Sequence, residues 1–336
     1  MLRWICLLAL WIPGWLHADE AAVRDVVEPR GEAALVQRLE VVTLATLSLP
    51  ETERFYRQGY GLEFEGPIPL QPQALADQRK LWGVSEDFAW EEYRLSRPAT
   101  WGMPRIRVLA LAAPAEPAQV DWSAASPGAQ GIGFAVADAA ALEARLRDLG
   151  FAGSGLRESD SLRSDASRVG EREVIHHGPD FVRALARERI GGDAYAPLDE
   201  ATGIGGPAWL SITTADAEAS LRFWTEVLDL EVRSDRERDA RVRQILLYAR
   251  GSRSAFVELR VTAPAADAGP ATEGLPRGII GAAFVVHDLP EVLERLAAAE
   301  VEIEGDAVVP LPMLATRRVI ALRSPEGLRV ELIEGG

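Results

Sequence analysis

The chain contains 336 residues, of which 48% are hydrophobic and 26% are charged, so we expect a globular protein of two domains rather than a disordered chain. Its formal net charge of −15 predicts repulsion from phosphate backbones and anionic lipid surfaces, which excludes nucleic acid as an expected partner. The single cysteine, Cys6, lies in an N-terminal apolar run, so a mature chain without this run has no disulfide, thiolate ligand or cysteine nucleophile.

The first predicted element is a secretory signal peptide at residues 1–18. Arg3 precedes an apolar run over residues 4–16, and Ala18 supplies the small residue expected at the cleavage point. The run is shorter than the about 20 apolar residues that a transmembrane helix needs. We therefore predict an exported, periplasmic protein with no stable membrane span after cleavage, and an uncleaved membrane anchor is the alternative. Residues 19–37 predict a short amphipathic helix.

Two pairs of internal repeats follow along the chain. Residues 39–64 match residues 207–232 without a gap, and each segment combines an alternating strand pattern, a turn and a helical stretch. Residues 131–151 match residues 281–301 in the same way. Since each helical stretch is followed by about three strand-like runs, the sequence predicts four β-α-β-β-β units in order.

The repeats also share local signals inside their helical stretches. The first pair carries adjacent aromatic residues, Phe55-Tyr56 and Phe223-Trp224. In the second pair, Asp138 and Asp288 stand where a helix N-cap is expected, because a carboxylate there accepts hydrogen bonds from free backbone N–H groups. Both aspartates are thus explained by structure alone.

Four such units in two pairs resemble the vicinal oxygen chelate superfamily, which includes glyoxalase I, bleomycin-resistance proteins and extradiol dioxygenases. The aromatic pairs and the closing turn Ser324-Pro325-Glu326-Gly327 before Glu331 carry this resemblance. It implies an α+β fold in which two units together form a cup around the active site. The implied domains are residues 38–186, a degenerate first domain, and residues 207–336, joined by a glycine-rich linker at residues 187–206.

Metal-dependent members of that superfamily carry His or Glu ligands near the start of a unit's first strand and in its last strand, and a catalytic site needs about three protein ligands. The first-strand positions of the four units hold Val41, Gly131, Trp209 and Gly281. The last-strand positions are predicted at Val108, Leu185, Glu258 and Glu331. We therefore expect no bound metal or other cofactor. The alternative is a Mg²⁺ or Ca²⁺ ion that Glu258 and Glu331 share in one cup, with water as the remaining ligands.

The second domain retains a candidate binding surface for a small polar or cationic organic molecule. Its residues are Trp209, Ser211, Thr213, Glu258, Arg260, Arg329 and Glu331. The alternative assigns the tryptophan to packing and the Arg–Glu combinations to ion pairs. If the two carboxylates lie close together, one of them has a raised pKa and can serve as a general base.

Three functional hypotheses follow. The first is an exported protein that binds a small molecule without catalysis, as the missing histidines favour. The second is a lyase, isomerase or dioxygenase with an atypical carboxylate site at Glu258 and Glu331. The third is a scaffold whose curved sheets bind another exported protein. His176 and His177, at a strand end, are predicted to be structural or surface residues.

Overall fold

The computed structural model describes residues 34–97, 103–112, 128–162, 168–239, 242–252, 256–263, 275–311 and 315–335. The predicted signal peptide and most of the predicted helix at residues 19–37 lie outside these ranges. No helix within the described ranges has both the length and the apolar character needed to cross a bilayer.

The described residues form short helices and a larger number of strands. The strands are β1 (Val36–Thr46), β2 (Glu63–Ile68), β3 (Trp90–Ser96), β4 (Arg105–Leu111), β5 (Gly128–Val136), β6 (Arg157–Leu162), β7 (Arg168–His177), β8 (Arg183–Ile190), β9 (Ile204–Thr214), β10 (Leu230–Asp239), β11 (Val242–Ala249), β12 (Phe256–Val261), β13 (Gly278–Val286), β14 (Ile303–Leu311), β15 (Ala315–Arg323) and β16 (Arg329–Glu334). The helices are α1 (Leu49–Glu53), α2 (Pro72–Trp82), α3 (Ala139–Asp148), α4 (Ala217–Leu221) and α5 (Leu289–Ala298).

The strands assemble into two eight-stranded sheets. The first, which we call the terminal sheet, has the order β14-β15-β16-β13-β1-β4-β3-β2, and the second, the central sheet, has the order β10-β11-β12-β9-β5-β8-β7-β6. The terminal sheet therefore joins the first unit to the fourth, and the central sheet joins the second unit to the third. The joins are the antiparallel pairs β1–β13 and β5–β9, while each unit's first and last strands run parallel.

The repeated helical signals have the predicted roles. The Asp138 side chain accepts a hydrogen bond from the Ala141 backbone N–H at 2.9 Å, and Asp288 accepts one from Glu291 at 3.0 Å, which confirms both N-caps. Helices α1 and α4 each continue as a π-helical turn that carries the aromatic pair. The two rings of each pair meet edge to face, with centroids 4.9 Å and 5.0 Å apart, and pack in the common core.

The first unit departs from the predicted β-α-β-β-β order because helix α2 lies between β2 and β3. Proline begins this helix and Gly83 ends it at a φ of 62°, the usual arrangement of helix-terminal residues. Its buried face, which includes Leu81 and Trp82, packs against β14 and β15 of the fourth unit. A Cβ atom on Gly305 of β14 would lie 2.7 Å from the Leu81 carbonyl oxygen, so helix and strand are in close contact. Helix α2 thus fills the cup of the terminal sheet.

The first and second units meet at a buried histidine. His176, which is fully buried on β7, forms a hydrogen bond of 2.8 Å between its Nδ1 atom and the Tyr60 hydroxyl group. Burial lowers the pKa of His176 to about 4, and the neighbouring His177 contributes to the same shift. The prediction that His176 is structural agrees with this position.

We expect the free energy of unfolding to fall as the pH drops from 6.5 to about 4. The unfolded chain binds a proton at His176 in this range and the folded chain does not, which corresponds to a loss of about 3 kcal/mol. Urea unfolding at several pH values measures this loss, and His176→Gln should remove most of it. The exposed His287 provides the control for replacing a histidine, since the loss assigned to His176 should remain in His287→Gln. An unaltered pH dependence in the His176 variant would contradict the assignment.

Candidate functional site

Five of the seven candidate site residues lie together on the central sheet. Strands β9 and β12 are parallel neighbours in which Ser211 is level with Glu258 and Thr213 is level with Arg260. Trp209 lies two residues before Ser211 on β9, so its side chain leaves the same face of the sheet. This face forms the cup of the second and third units.

The two glutamates, in contrast, do not share a cup. Glu258 lies on β12 of the central sheet, and Glu331 lies with Arg329 on β16 of the terminal sheet. The expectation that Glu258 and Glu331 line one cup was wrong because the third and fourth units pair with different partners. A metal ion held by both carboxylates, and a general base whose pKa rises through their proximity, are therefore ruled out by the topology.

Glu258 is fully buried, and protein donors satisfy both of its oxygen atoms. Arg187 donates from Nη2 to Oε1 at 2.8 Å, Trp209 donates from Nε1 to Oε2 at 3.0 Å, and Gln244 also donates to Oε1. Arg187 donates from Nε to Glu173 at 2.6 Å. Burial opposes ionisation of Glu258, but Arg187 and then Arg260 hold its pKa below the ordinary value. Glu258 is therefore a charged residue whose partner is an internal guanidinium group.

Trp209 is a packing residue rather than a free stacking surface for a ligand. Its side chain is fully buried, and its ring is parallel to that of Phe256, with centroids 5.3 Å apart. A Cβ atom on Gly133 of the neighbouring strand would lie 1.7 Å from the indole, so only glycine leaves room for the ring there. The Arg187 guanidinium carbon lies 4.8 Å from the indole centroid.

Glu331 has an equivalent environment in the terminal sheet, built from other positions of the chain. Arg107 donates from Nη2 to both carboxylate oxygens at 2.8 Å and 2.9 Å, and Trp82 of helix α2 donates from Nε1 at 2.8 Å. The Arg107 guanidinium carbon lies 4.9 Å from the Trp82 ring centroid. Arg329 donates to the Trp82 carbonyl oxygen at 2.8 Å and so helps to hold the helix.

Strand register corrects one of the predicted last-strand positions. Thr43 is level with Arg107 in the first unit, and Ser211, the repeat counterpart of Thr43, is level with Glu258 in the third. Arg107 therefore holds the position predicted for Val108, whose side chain points to the opposite face. The loops before these strands differ in length, so sequence spacing alone misplaced the position by one residue.

The residues of the two cups do not fit the divalent metal of the superfamily that the sequence resembles. Each cup has one last-strand carboxylate, and protein N–H groups bond to both of its oxygen atoms. The other last-strand positions hold Arg107 and Leu185, neither of which supplies an oxygen ligand. Within the described ranges, no three His, Cys, Asp or Glu side chains converge. An arginine in each cup provides the positive charge that balances the carboxylate.

Three polar groups on strands β9 and β12 have no hydrogen-bond partner among the residues that the structure describes. They are the Ser211 and Thr213 hydroxyl groups and the Arg260 Nε–H, all with negligible exposure to solvent. The whole side chains of Ser211 and Thr213 are 2% and 0% exposed. Buried polar groups almost always have a partner, and each unsatisfied one costs about 1–3 kcal/mol. We call Ser211, Thr213 and Arg260 the hydroxyl–arginine patch, and it is the candidate binding site.

Comparison with known proteins agrees with this architecture. Residues 206–332 match the model of the Glyoxalase/Bleomycin resistance protein/Dioxygenase superfamily. The structure of glyoxalase I from Zea mays is similar with a TM-score of 0.57 and 13% identity, over 88% of this chain and 92% of that chain. A proposed dioxygenase from Bacillus subtilis subsp. subtilis str. 168 has a TM-score of 0.53 and 16% identity, over 90% of this chain and 86% of that chain. No curated protein matches the chain.

At these identities the likeness to solved structures concerns the fold alone. It extends over both halves of the chain, whereas the match of sequence to the family model concerns the second half. Both agree with the predicted α+β fold of four β-α-β-β-β modules. The predicted resemblance to the vicinal oxygen chelate superfamily is thus confirmed, because residues 206–332 match its family model and the fold across the chain is similar to that of glyoxalase I.

Proposed function

We propose that this is an exported protein that binds a small organic molecule in the cup of the central sheet without a bound metal ion. The observation that carries the proposal is the hydroxyl–arginine patch, in which buried polar groups on adjacent strands have no partner within the described part of the chain. A polar ligand that bonds to these groups would remove the cost of leaving them unsatisfied. Export rests on the sequence of residues 1–18.

The terminal cup is not the proposed binding site because helix α2 fills it. Leu81 and Trp82 pack in an apolar cluster with strands of the first and fourth units. The Trp82 indole also donates to Glu331, which places the helix against the last strand of the fourth unit. We therefore propose one ligand for each chain rather than one for each cup.

Replacing Thr213 with valine tests the proposed site. The substitution keeps the shape of the side chain and removes an unsatisfied hydroxyl group, so we expect the ligand-free protein to be stabilised by about 1 kcal/mol. The same variant should lose the stabilisation that wild-type protein gains from ligands found in a small-molecule thermal-shift screen. Residues selected for binding are often not optimal for stability. The substitution should therefore raise the stability of the ligand-free protein and lower its affinity for the ligand.

The adjacent Thr214 is the matched control. Its hydroxyl oxygen accepts hydrogen bonds from the Ser220 hydroxyl at 2.8 Å and from the Asp216 backbone N–H at 3.1 Å. Thr214→Val should therefore destabilise the protein by about 1–2 kcal/mol without changing the ligand response at the neighbouring position. If Thr213→Val destabilises the protein as much as Thr214→Val does, the unsatisfied hydroxyl group is not available for a ligand and the proposal fails.

A further inference from the structure

The chemistry of the hydroxyl–arginine patch indicates the class of molecule that it binds. Ser211 and Thr213 lie on β9, and Arg260 lies on β12 beside Thr213. On the other side of β9, Gly131 of β5 is level with Ser211, and Arg183 of β8 is level with Gly131. Since neighbouring strands are about 4.8 Å apart, two arginine positions flank the two hydroxyl groups within four strands.

The arginines differ in their existing contacts. Arg183 donates from Nη1 to the Gln130 side-chain oxygen at 2.7 Å, which holds its side chain beside β5. Arg260 has a buried Nε–H to which no described residue offers an acceptor. The carboxylate of its own strand, Glu258, already accepts hydrogen bonds from Arg187, Trp209 and Gln244. Arg260 is thus level with Thr213 and retains a buried donor, although its charge also acts on Glu258.

A cationic ligand does not fit this arrangement. Arg260 would repel it, and Glu258 could bind it only by giving up the hydrogen bonds from Arg187 and Trp209. Hydroxyl donors beside a guanidinium group instead match an oxyanion, because hydrogen bonds between charged donors and charged oxygen acceptors are about twice as strong as neutral ones. The geometry therefore favours the opposite charge to that of the polar or cationic ligand expected from the sequence.

We propose that the small molecule carries a carboxylate or phosphate group that Arg260, Thr213 and Ser211 bind. The proposal rests on the proposed function, since it names the ligand class of the same site.

The test compares anionic and neutral probes of similar size on the purified full chain. Benzoate and phenyl phosphate at millimolar concentration should each be tried against neutral benzamide, with Tm and titration calorimetry as the measurements. At least one of the anions should raise the Tm and benzamide should not, and the anion that binds identifies the carboxylate or the phosphate as the better match. Arg260→Met should weaken its binding by about tenfold or more.

Two further variants complete the design. Arg260→Lys keeps the positive charge and should retain weak binding, which separates loss of charge from loss of folding. Arg243 lies on β11, and its side chain forms an ion pair of 2.6 Å with Asp235 away from the patch. Arg243→Met should leave anion binding unchanged. Equal weakening in the Arg243 and Arg260 variants would show a general charge effect and overturn the proposal.

The outcomes separate the ligand class from the proposed function. Binding of benzamide that Thr213→Val abolishes, without binding of either anion, would overturn the anionic class and leave small-molecule binding intact. Anion binding that neither Arg260→Met nor Thr213→Val changes would place the anion elsewhere and overturn this proposal alone. Absence of any ligand response together with a destabilised Thr213→Val variant would overturn the proposed function itself.

Discussion

Replacing Arg187 with methionine is expected to lower the free energy of unfolding by about 3–5 kcal/mol, one of the largest single effects in this protein. Methionine keeps much of the side-chain volume but removes the positive charge that Glu173 and Glu258 share. Both carboxylates then lose this shared guanidinium group while they remain in the interior, with 3% and 0% exposure. Equilibrium unfolding in urea measures the loss.

The pH dependence of the Arg187→Met variant provides an independent check. Without the guanidinium group, burial raises the pKa of Glu258 above its value in the unfolded chain, so the folded state binds a proton more readily. The variant should therefore recover stability as the pH falls toward the raised pKa. The wild-type protein, in which the pKa of Glu258 is below the ordinary value, should not recover stability in this way.

Two matched variants show whether the loss of stability in Arg187→Met comes from the buried ion pair with Glu258. Adding Glu258→Gln to Arg187→Met removes the negative charge of one of the two buried carboxylates. The double variant should therefore be more stable than the sum of the single changes predicts. Arg172, which forms an ion pair of 2.8 Å with the exposed Glu158, is the surface control. Arg172→Met should cost much less than Arg187→Met, because solvent screens an exposed ion pair. A cost for Arg187→Met no greater than that of Arg172→Met would contradict the assigned role of Arg187.

In both cups an arginine neutralises the charge of the buried glutamate, and a tryptophan donates a hydrogen bond to the same carboxylate. The guanidinium group pairs with the carboxylate and lies over an indole ring whose N–H donates to that carboxylate, at Arg187–Glu258–Trp209 and at Arg107–Glu331–Trp82. The tryptophan comes from a first strand in one cup and from helix α2 in the other. A buried last-strand carboxylate needs a positive charge, and in this chain an arginine provides it.

Much of the fold could be predicted from the sequence because its units are defined by local patterns. Alternation along strands and helical periodicity gave the four units, and Asp138 and Asp288 marked where two helices begin. Helix α2 was missed, although the proline that begins it and Gly83 that ends it are recognisable helix-terminal signals. Its pattern was hidden because the other units have no helix at this position.

The pairing of the units could not be predicted because each unit presents the same kind of free strand edge. Joining β1 to β13 and β5 to β9 depends on contacts between residues far apart in the chain. This choice decides that Glu258 and Glu331 lie in different cups. The partners Arg107 and Arg187 were missed for the same reason, because each arginine comes from a different unit than the carboxylate that it binds.

The second large effect is expected at Gly133, where alanine should destabilise the protein by about 3 kcal/mol or more. The added methyl group would lie 1.7 Å from atoms of the Trp209 ring, far inside van der Waals contact. The ring cannot move away easily, because Phe256 stacks on it and its Nε1–H donates to Glu258. Thermal and urea unfolding measure the loss.

The fourth unit provides the natural comparison, because Ala283 is the repeat counterpart of Gly133 and lies level with Val41 rather than with a tryptophan. A small residue is thus paired with the large ring in the central sheet, and an alanine with a valine in the terminal sheet. Ala283→Gly should cost only about 1 kcal/mol, as expected for glycine within a strand.

If the ring contact is the cause, Trp209→Leu should relieve the defect of Gly133→Ala, so that the double variant loses less stability than the two single variants together. Additive losses would mean that the indole does not occupy the space above Gly133.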